Sequence, residues 1–390
     1  MKTMLLTLLA YLRYEFCSKD KYTIVFSGYN NQKFNFNSKY LFEYYLLHKE
    51  NYKLYFIIDN DHLRERLNEQ IGPYFITSKT FSGLKTIFKA FVWITSGGMP
   101  IRIPFANRDR VVVNLWHGVP FKAIGLMNGE NTWFQNFCIK HIYSKYDIIT
   151  ATSSRFAQIM ARSFNVEDSK VKILGHPWSD SLWNDNDKCA ILNGLFDLPF
   201  EIHNNDKIAL YAPTWRANVN TVIFPFEDFS LQALEDYLEE NKMVICLRTH
   251  QPDVNNIEAY RKCRRILILN EDKVSDIMSI LNIFDILISD YSGMMFDYLL
   301  LDRPLILLPY DKEEYLSTRR LSVGFEEIEM IPSPTNFAEF LSTLTVAANQ
   351  KTPSDKQVNF KSMCHFHQNA DSCRRHHEAI LEMIEEKYKS

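Results

Sequence analysis

The sequence predicts an α/β protein made of two consecutive domains, each an open parallel sheet wound with helices. Two observations carry this reading. Short apolar runs alternate with amphipathic helical stretches along almost the whole chain, which is the pattern of βαβ units. A chain of 390 residues also exceeds one ordinary domain and suits two, each large enough for its own core. Hydrophobic residues at 46% and charged residues at 23% are proportions of a folded globular protein and argue against long disorder. With only 12 glycines, a glycine-rich dinucleotide fingerprint is not expected.

Each element follows from local pattern. The chain opens on an apolar run over 4–12, followed by Arg13 and Glu15. Spanning a bilayer needs about 20 residues, so this run is too short. No small-x-small cleavage site follows it, which disfavours a secretory signal. It reads as a short helix, either packed on the protein's own core or lying in a membrane interface. Strands are expected at 22–27, 53–58, 91–95, 111–115, 147–151 and 171–174, with helices between them such as 38–48 and 153–163. Ser153 and Ser154 suit the N-cap of the latter. Polar stretches at 184–188 and 203–206 mark a boundary. A second series then places strands at 208–211, 243–248, 266–269, 285–289 and 305–308, with helices near 231–239, 274–281 and 292–300. An amphipathic helix at 371–389 closes the chain. The expected division is an N-terminal domain at 1–200, a C-terminal domain at 201–365 and a closing helix within 366–390. There is no internal repeat and no low-complexity tract.

Charge and cysteines narrow the function. A formal net charge of −3 argues against a general nucleic-acid binder. The seven cysteines include no Cys-x-x-Cys pair, and free thiols in a reducing cytosol are expected. His365, His367, His376 and His377 crowd the tail, but their spacing gives no convincing metal-ligand set, so no metal is expected.

In open α/β sheets ligands bind beyond the C-terminal ends of the strands, and two such domains in sequence give a cleft. Four strand ends carry chemistry. The first runs from Asn114 into Trp116, His117 and Gly118, with Lys122 beyond. Histidine suits proton transfer near neutral pH, glycine allows a sharp turn beside it, and Lys122 suits a phosphate. A structural histidine in a turn is the rival reading. The second is Ala212-Pro-Thr214-Trp-Arg216, where hydroxyl and guanidinium suit a phosphate or acceptor, against an ordinary loop salt bridge. The third releases Arg248 and His250 on one face of a strand end, as a pyrophosphate would require. The fourth is Ser289-Asp-Tyr-Ser292-Gly293 leading into a helix, where hydroxyls and backbone N–H groups form an anion site and Asp297 lies within reach of a ribose. Arg319 and Arg320 follow a fifth strand and read as a solvated face.

Taken in order, these motifs resemble the CDP-glycerol glycerophosphotransferase family of teichoic-acid and capsule biosynthesis, the TagB/TagF-like enzymes. The matching pieces are TrpHisGly at 116–118 with Lys122, AlaProThrTrpArg at 212–216, Arg248-Thr-His250 with Pro252, and SerAspTyrSer at 289–292. PheAspTyrLeu at 296–299, AspArgPro at 302–304, and ProTyrAsp at 309–311 with GluTyr at 314–315 complete the set. The sequence departs from the family at Gly293, where a second serine is common, at Trp178, where an arginine often stands, and at Asn369-Ala370. The resemblance implies a GT-B-like fold of two Rossmann-like domains facing a central cleft, the donor held mainly by the second. It implies a CDP-glycerol or CDP-ribitol donor, a lipid-linked saccharide or polyol-phosphate acceptor, and peripheral attachment at the cytoplasmic face of the cell membrane. It implies two catalytic histidines, which map onto His117 and His250.

The expected reaction moves a polyol phosphate onto an acceptor hydroxyl and releases CMP. His117 is expected as general base, with Arg248 and His250 stabilising charge on the phosphates. Thr214, Arg216, Ser289, Ser292, Gly293 and Asp297 are expected on the donor, Gly118 and Lys122 beside acceptor or phosphate. No cofactor is called for. A nucleotide-sugar glycosyltransferase or epimerase of the same fold is the nearest rival, and a non-catalytic scaffold the more distant one.

Overall fold

The computed structural model describes residues 2–49, 51–101, 109–214, 216, 221–249 and 257–389. The chain divides into two compact units. One comprises Met1–Gly118, Ile124–Asp180 and Phe366–Ser390, the other Val119–Ala123 and Ser181–His365.

The first unit is built on a parallel sheet of β1 (Asp20–Ser27), β2 (Lys53–Ile57), β3 (Phe75–Ile76), β4 (Ala90–Thr95), β5 (Val111–Asn114), β6 (Ile148–Ala151) and β7 (Val171–Ile173), in the order β3-β2-β1-β4-β5-β6-β7. Alternation along β1 shows why both faces are apolar. Ile24 and Phe26 enter one layer with Phe42 and Phe56, while Val25 enters the opposite layer with Phe88 and Trp93. A parallel sheet covered on both sides needs near-continuous apolar strands, and β4 is buried at every position. The C-terminal helix Ser372–Lys389 contributes Cys373 and Ile380 to the first layer. Its first turn is held by Asp180, whose carboxylate accepts from the N–H groups of Ser372 and Cys373 at 2.8 Å each. The N-terminal helix Lys2–Tyr14 buries Ala10 in the other layer and leaves Met4, Leu5, Leu8, Leu9 and Leu12 exposed. Among the described residues, no helix is long and apolar enough to cross a membrane.

The second unit carries β8 (Lys207–Tyr211), β9 (Met243–Leu247), β10 (Ile266–Ile268), β11 (Ile286–Ser289) and β12 (Leu305–Leu307), all parallel, in the order β10-β9-β8-β11-β12. Ala209, Ile245, Ile288 and Ile306 share a layer with Leu234 and Leu238 of helix Leu231–Glu240 and with Phe340 and Leu344 of helix Phe337–Asn349.

Three elements differ from expectation. β3 is a two-residue edge strand, too short to show a period in sequence. The helix expected at 274–281 is a 3₁₀ segment, Ile277–Ile283, started by the Asp276 side chain accepting from the Met278 N–H. The helix expected at 292–300 is a single short turn, Met294–Tyr298, followed by a 3₁₀ turn, Leu299–Leu301. Asp302 stops it in a left-handed conformation (φ 56°), and the Lys361 ammonium holds the Asp302 carboxylate at 2.6 and 2.7 Å.

Candidate active site

Each sheet has one place where the strand order reverses, and ligands of open α/β sheets collect there. In the first unit that place lies between β1 and β4, in the second between β8 and β11. The chemistry-bearing motifs gather at these two points.

At the first switch point, β4 runs into Ser96 and β5 into Leu115, Trp116, His117 and Gly118. The turn is unusual. Trp116 holds φ 57° and Gly118 φ 127°, the first costly for a bulky side chain, the second natural only for glycine. The His117 Nδ1 lies 2.7 Å from the Ser96 carbonyl oxygen. A carbonyl only accepts, so Nδ1 carries the proton and Nε2 is the ring's basic nitrogen. The imidazole stacks on Trp116 at 4.3 Å between centroids and meets Phe36 at 5.6 Å and Tyr29 at 6.0 Å. Burial among these rings pushes its pKa below the ordinary histidine value; the Ser96 carbonyl opposes the shift and His176 adds to it. The ring is therefore neutral at pH 7.

At the second switch point, Arg216 is the hub. Its Nε and Nη2 donate to the two carboxylate oxygens of Asp311 at 2.7 and 2.9 Å, and its Nη1 donates to Asp290 at 2.8 Å. Nη1 also donates to the Thr214 carbonyl. The rings of Tyr291, Tyr310 and Tyr315 surround the guanidinium at 5.2–5.4 Å. Burial works against its charge, but the Asp311 hydrogen bonds and the Asp290 carboxylate outweigh it and raise its pKa. Expected on the donor, this arginine is thus occupied by two carboxylates. Asp290 also accepts from the N–H groups of Thr214 and Tyr291 at 2.8 and 2.6 Å. The Thr214 hydroxyl is buried with no partner among the described residues.

The other expected residues divide by role. The fully buried Ser289 hydroxyl donates to the Ala212 carbonyl at 2.8 Å and ties β11 to the end of β8. Ser292 Oγ accepts from the Met294 N–H at 3.3 Å, and Gly293 is the N-cap of the short turn. Asp297 is buried on that turn. Lys122, expected beside His117, belongs to the second unit. There Lys122 bridges Leu321, and its ammonium lies 5.6 Å from the Tyr315 ring. Burial lowers its pKa, Asp290 raises it, and Arg319 and Arg216 lower it further. Arg248 follows β9, and its Nη1 donates to the carbonyls of Val274 at 2.9 Å and Leu269 at 3.3 Å. Burial lowers its pKa, opposed by Glu271 and Asp276. His250 lies outside the described residues.

Sequence reasoning missed Asn37 and Ser96, and it named Asp311 in a motif without seeing that it pairs with Arg216; all three hold these clusters together. The tail histidines are pegs: His365 pairs with the Phe296 carbonyl, His367 with that of Ile173, His376 with Thr150 and the Ser372 carbonyl, and His377 with the Tyr45 hydroxyl. Among the described residues, no group of three or more His, Cys, Asp or Glu side chains is placed to hold a metal ion.

Residues 9–382 match the family model for CDP-glycerol:poly(glycerophosphate) glycerophosphotransferase. The chain is 25% identical over 316 residues to the teichoic acid glycerol-phosphate transferase of Staphylococcus aureus, covering 78% of this chain and 79% of that protein. It is 25% identical over 369 residues to the teichoic acid poly(glycerol phosphate) polymerase of Bacillus spizizenii, covering 92% and 91%. Of the corresponding polymerase of Bacillus subtilis the match covers only 39%. Among solved structures, the wall teichoic acid polymerase TagF superposes with a TM-score of 0.79 at 21% identity, over 99% of this chain and 95% of that one. A UDP-N-acetylglucosamine 2-epimerase from Listeria monocytogenes follows at 0.56 and 12%, over 94% and 98%. These likenesses show a GT-B-like fold of two Rossmann-like units. A family match running from the N-terminal helix into the C-terminal one makes this chain a member of the CDP-glycerol:poly(glycerophosphate) glycerophosphotransferase family.

Proposed function

We propose that this enzyme transfers glycerol phosphate, or a related polyol phosphate, from a CDP-activated donor to a hydroxyl of a membrane-linked acceptor in teichoic acid or capsule synthesis. The acceptor oxygen attacks the phosphorus that carries the polyol. The bond from that phosphorus to the bridging oxygen breaks, CMP leaves with the bridging electrons, and the acceptor proton passes to a base. Phosphoryl transfer asks the protein mainly for positioning and charge stabilisation.

His117 is the base, and the observation that carries this is its Nδ1–H···O bond to Ser96, which leaves Nε2 basic on a neutral ring. Arg248 and His250 stabilise charge on the phosphates, and Lys122 supplies a further cation. Thr214 offers the donor an unspent hydroxyl. Ser292, Gly293 and Asp297 line the donor's turn. Arg216 and Ser289 act through that turn rather than on the donor, because their polar groups are taken up by Asp311, Asp290 and Ala212. Gly118 gives the acceptor room beside the base.

The membrane reading rests on exposed apolar helices of the first unit. Helix Trp133–Tyr143 buries none of its residues, leaves Trp133, Phe134 and Phe137 exposed, and carries Lys140 and His141 in its last turn. Together with the exposed leucines of the N-terminal helix, such surfaces suit the interface of a bilayer at the cytoplasmic face.

The test is His117→Ala with CDP-glycerol, CDP-ribitol and a lipid-linked acceptor, following CMP release and product mass. Turnover is expected to drop about 10²–10⁴-fold with the fold intact. Full turnover in the variant removes His117 from the chemistry. Stabilisation by a UDP-sugar but by neither CDP-polyol points instead to the epimerase-like rival.

A further inference from the structure

Asn37 is the second residue of helix Phe36–His48, yet none of its side-chain bonds serves that helix. The fully buried carboxamide donates from Nδ2 to the carbonyls of Leu115 at 3.3 Å and Trp116 at 2.9 Å, and its Oδ1 accepts from the Trp178 N–H at 3.1 Å. These partners lie 78, 79 and 141 positions away in sequence. With every bond of its side chain made outside its own helix, Asn37 has a long-range task rather than a local one. Its neighbour works on the same target: the Ser38 N–H donates to Ser96 Oγ at 2.7 Å, and the Ser96 carbonyl fixes the His117 ring.

We infer that Asn37 is a positioning residue for His117, holding the 115–118 turn so that Nε2 is presented to the acceptor hydroxyl. This rests on the reading of His117 as the base. The turn needs such support, because Trp116 at φ 57° holds a backbone conformation that bulky side chains keep only when surrounding bonds over-determine it. Asn37 supplies two of those bonds on the strained side of His117 and, through Trp178, joins the turn to the segment carrying His176. The titratable groups that face the imidazole are His176 and Tyr29.

Asn37→Ala and the isosteric Asn37→Asp, made in the full chain, test this. Aspartate still accepts from Trp178 but cannot donate to either carbonyl. Histidine side-chain ¹⁵N NMR is expected to show His117 as the Nδ1–H tautomer in the wild type. In both variants it is expected to show mixed tautomers, with titration closer to the ordinary histidine value. With CDP-glycerol, kcat is expected to fall about 10–100-fold while the donor KM changes less than ~3-fold. Asn37→Ser, with the same tautomer shift expected, serves if these variants fail to fold, and Ser96→Ala, which removes the acceptor for Ser38 and leaves the Asn37 bonds in place, is the control. An unchanged His117 tautomer and titration in a folded Asn37 variant overturns the inference, whatever happens to kcat. His117→Asn run alongside separates the two readings: if it keeps full turnover the base assignment fails, while the NMR result still decides whether Asn37 orients the ring.

Discussion

Arg216 and Asp311 meet in a two-pronged pair, Nε to Oδ2 at 2.7 Å and Nη2 to Oδ1 at 2.9 Å. The consequence reaches beyond the pair. Asp311 also accepts from the Tyr291 hydroxyl at 3.1 Å, and Tyr291 stacks on Tyr315 at 3.8 Å. Thr214, Asp290, Tyr291, Tyr310, Asp311 and Tyr315, drawn from motifs separate in sequence, thus converge on one guanidinium at the end of the second sheet. A buried ion pair gives little net stability over an apolar replacement, but losing one partner leaves a bare charge.

Arg216→Met is therefore expected to strand both carboxylates and to cost about 3–5 kcal/mol. Arg216→Lys should cost less, because an ammonium keeps the charge but not the fork. Urea unfolding reads both. A wild-type midpoint for the methionine variant would show that the second unit does not rely on this hub.

With His117 as the proposed base, the pH dependence of turnover follows from its burial. A base works when unprotonated, and burial holds this ring's pKa below the ordinary value. The plateau of kcat/KM should extend through neutral pH, with the acid limb falling about tenfold per pH unit below that lowered value. His117→Asn should abolish the limb along with most of the activity. An acid limb centred above 6.5 would contradict the buried, neutral ring.

Stability should also fall in acid, and His376 allows the sign to be worked out. Its Nδ1 donates to the Ser372 carbonyl, and burial pushes its pKa down from 6.5 to about 3. Between those values the unfolded chain takes up a proton that the native one refuses. The contribution is complete above 6.5 and is lost as pH falls toward 3, at about 1.4 kcal/mol per unit, or about 2 kcal/mol by pH 5. His376→Gln should be less stable at pH 7 and lose less between pH 7 and pH 5. Parallel curves for the two proteins would exclude His376 as the source.

The strands were legible because a sheet covered on both faces writes itself as apolar runs: β4 and β5 are buried at every position. The strand ends followed from the same pattern, so His117 and Thr214 could be placed there without knowing the strand order. The short turn after Ser292 was not legible, since the apolar stretch that reads as its continuation tightens into the 3₁₀ turn Leu299–Leu301. Nor were the partners of Arg216 and Asn37. Asp290 and Asp311 lie 74 and 95 positions from Arg216, and such pairings are set by strand order, which periodicity does not encode.

The proposed attachment to a bilayer gives the last prediction. Trp133 is 79% exposed and Phe137 58%, on a helix with no buried residue, so packing among the described residues does not explain their apolar surface. Burying a side chain of this size in an apolar phase gains about 1.5–3 kcal/mol, and every 1.4 kcal/mol is tenfold in partitioning. Trp133→Ser with Phe137→Ser should therefore weaken binding to anionic vesicles at least ~10-fold while leaving the melting temperature unchanged. Added salt should weaken the wild type only partly, because Lys140 supplies a screened attraction and the rings an unscreened one. Sedimentation with the vesicles measures both effects. Wild-type binding by the double variant would move the contact to the N-terminal helix, where Leu5, Leu8 and Leu12 provide the next candidate surface.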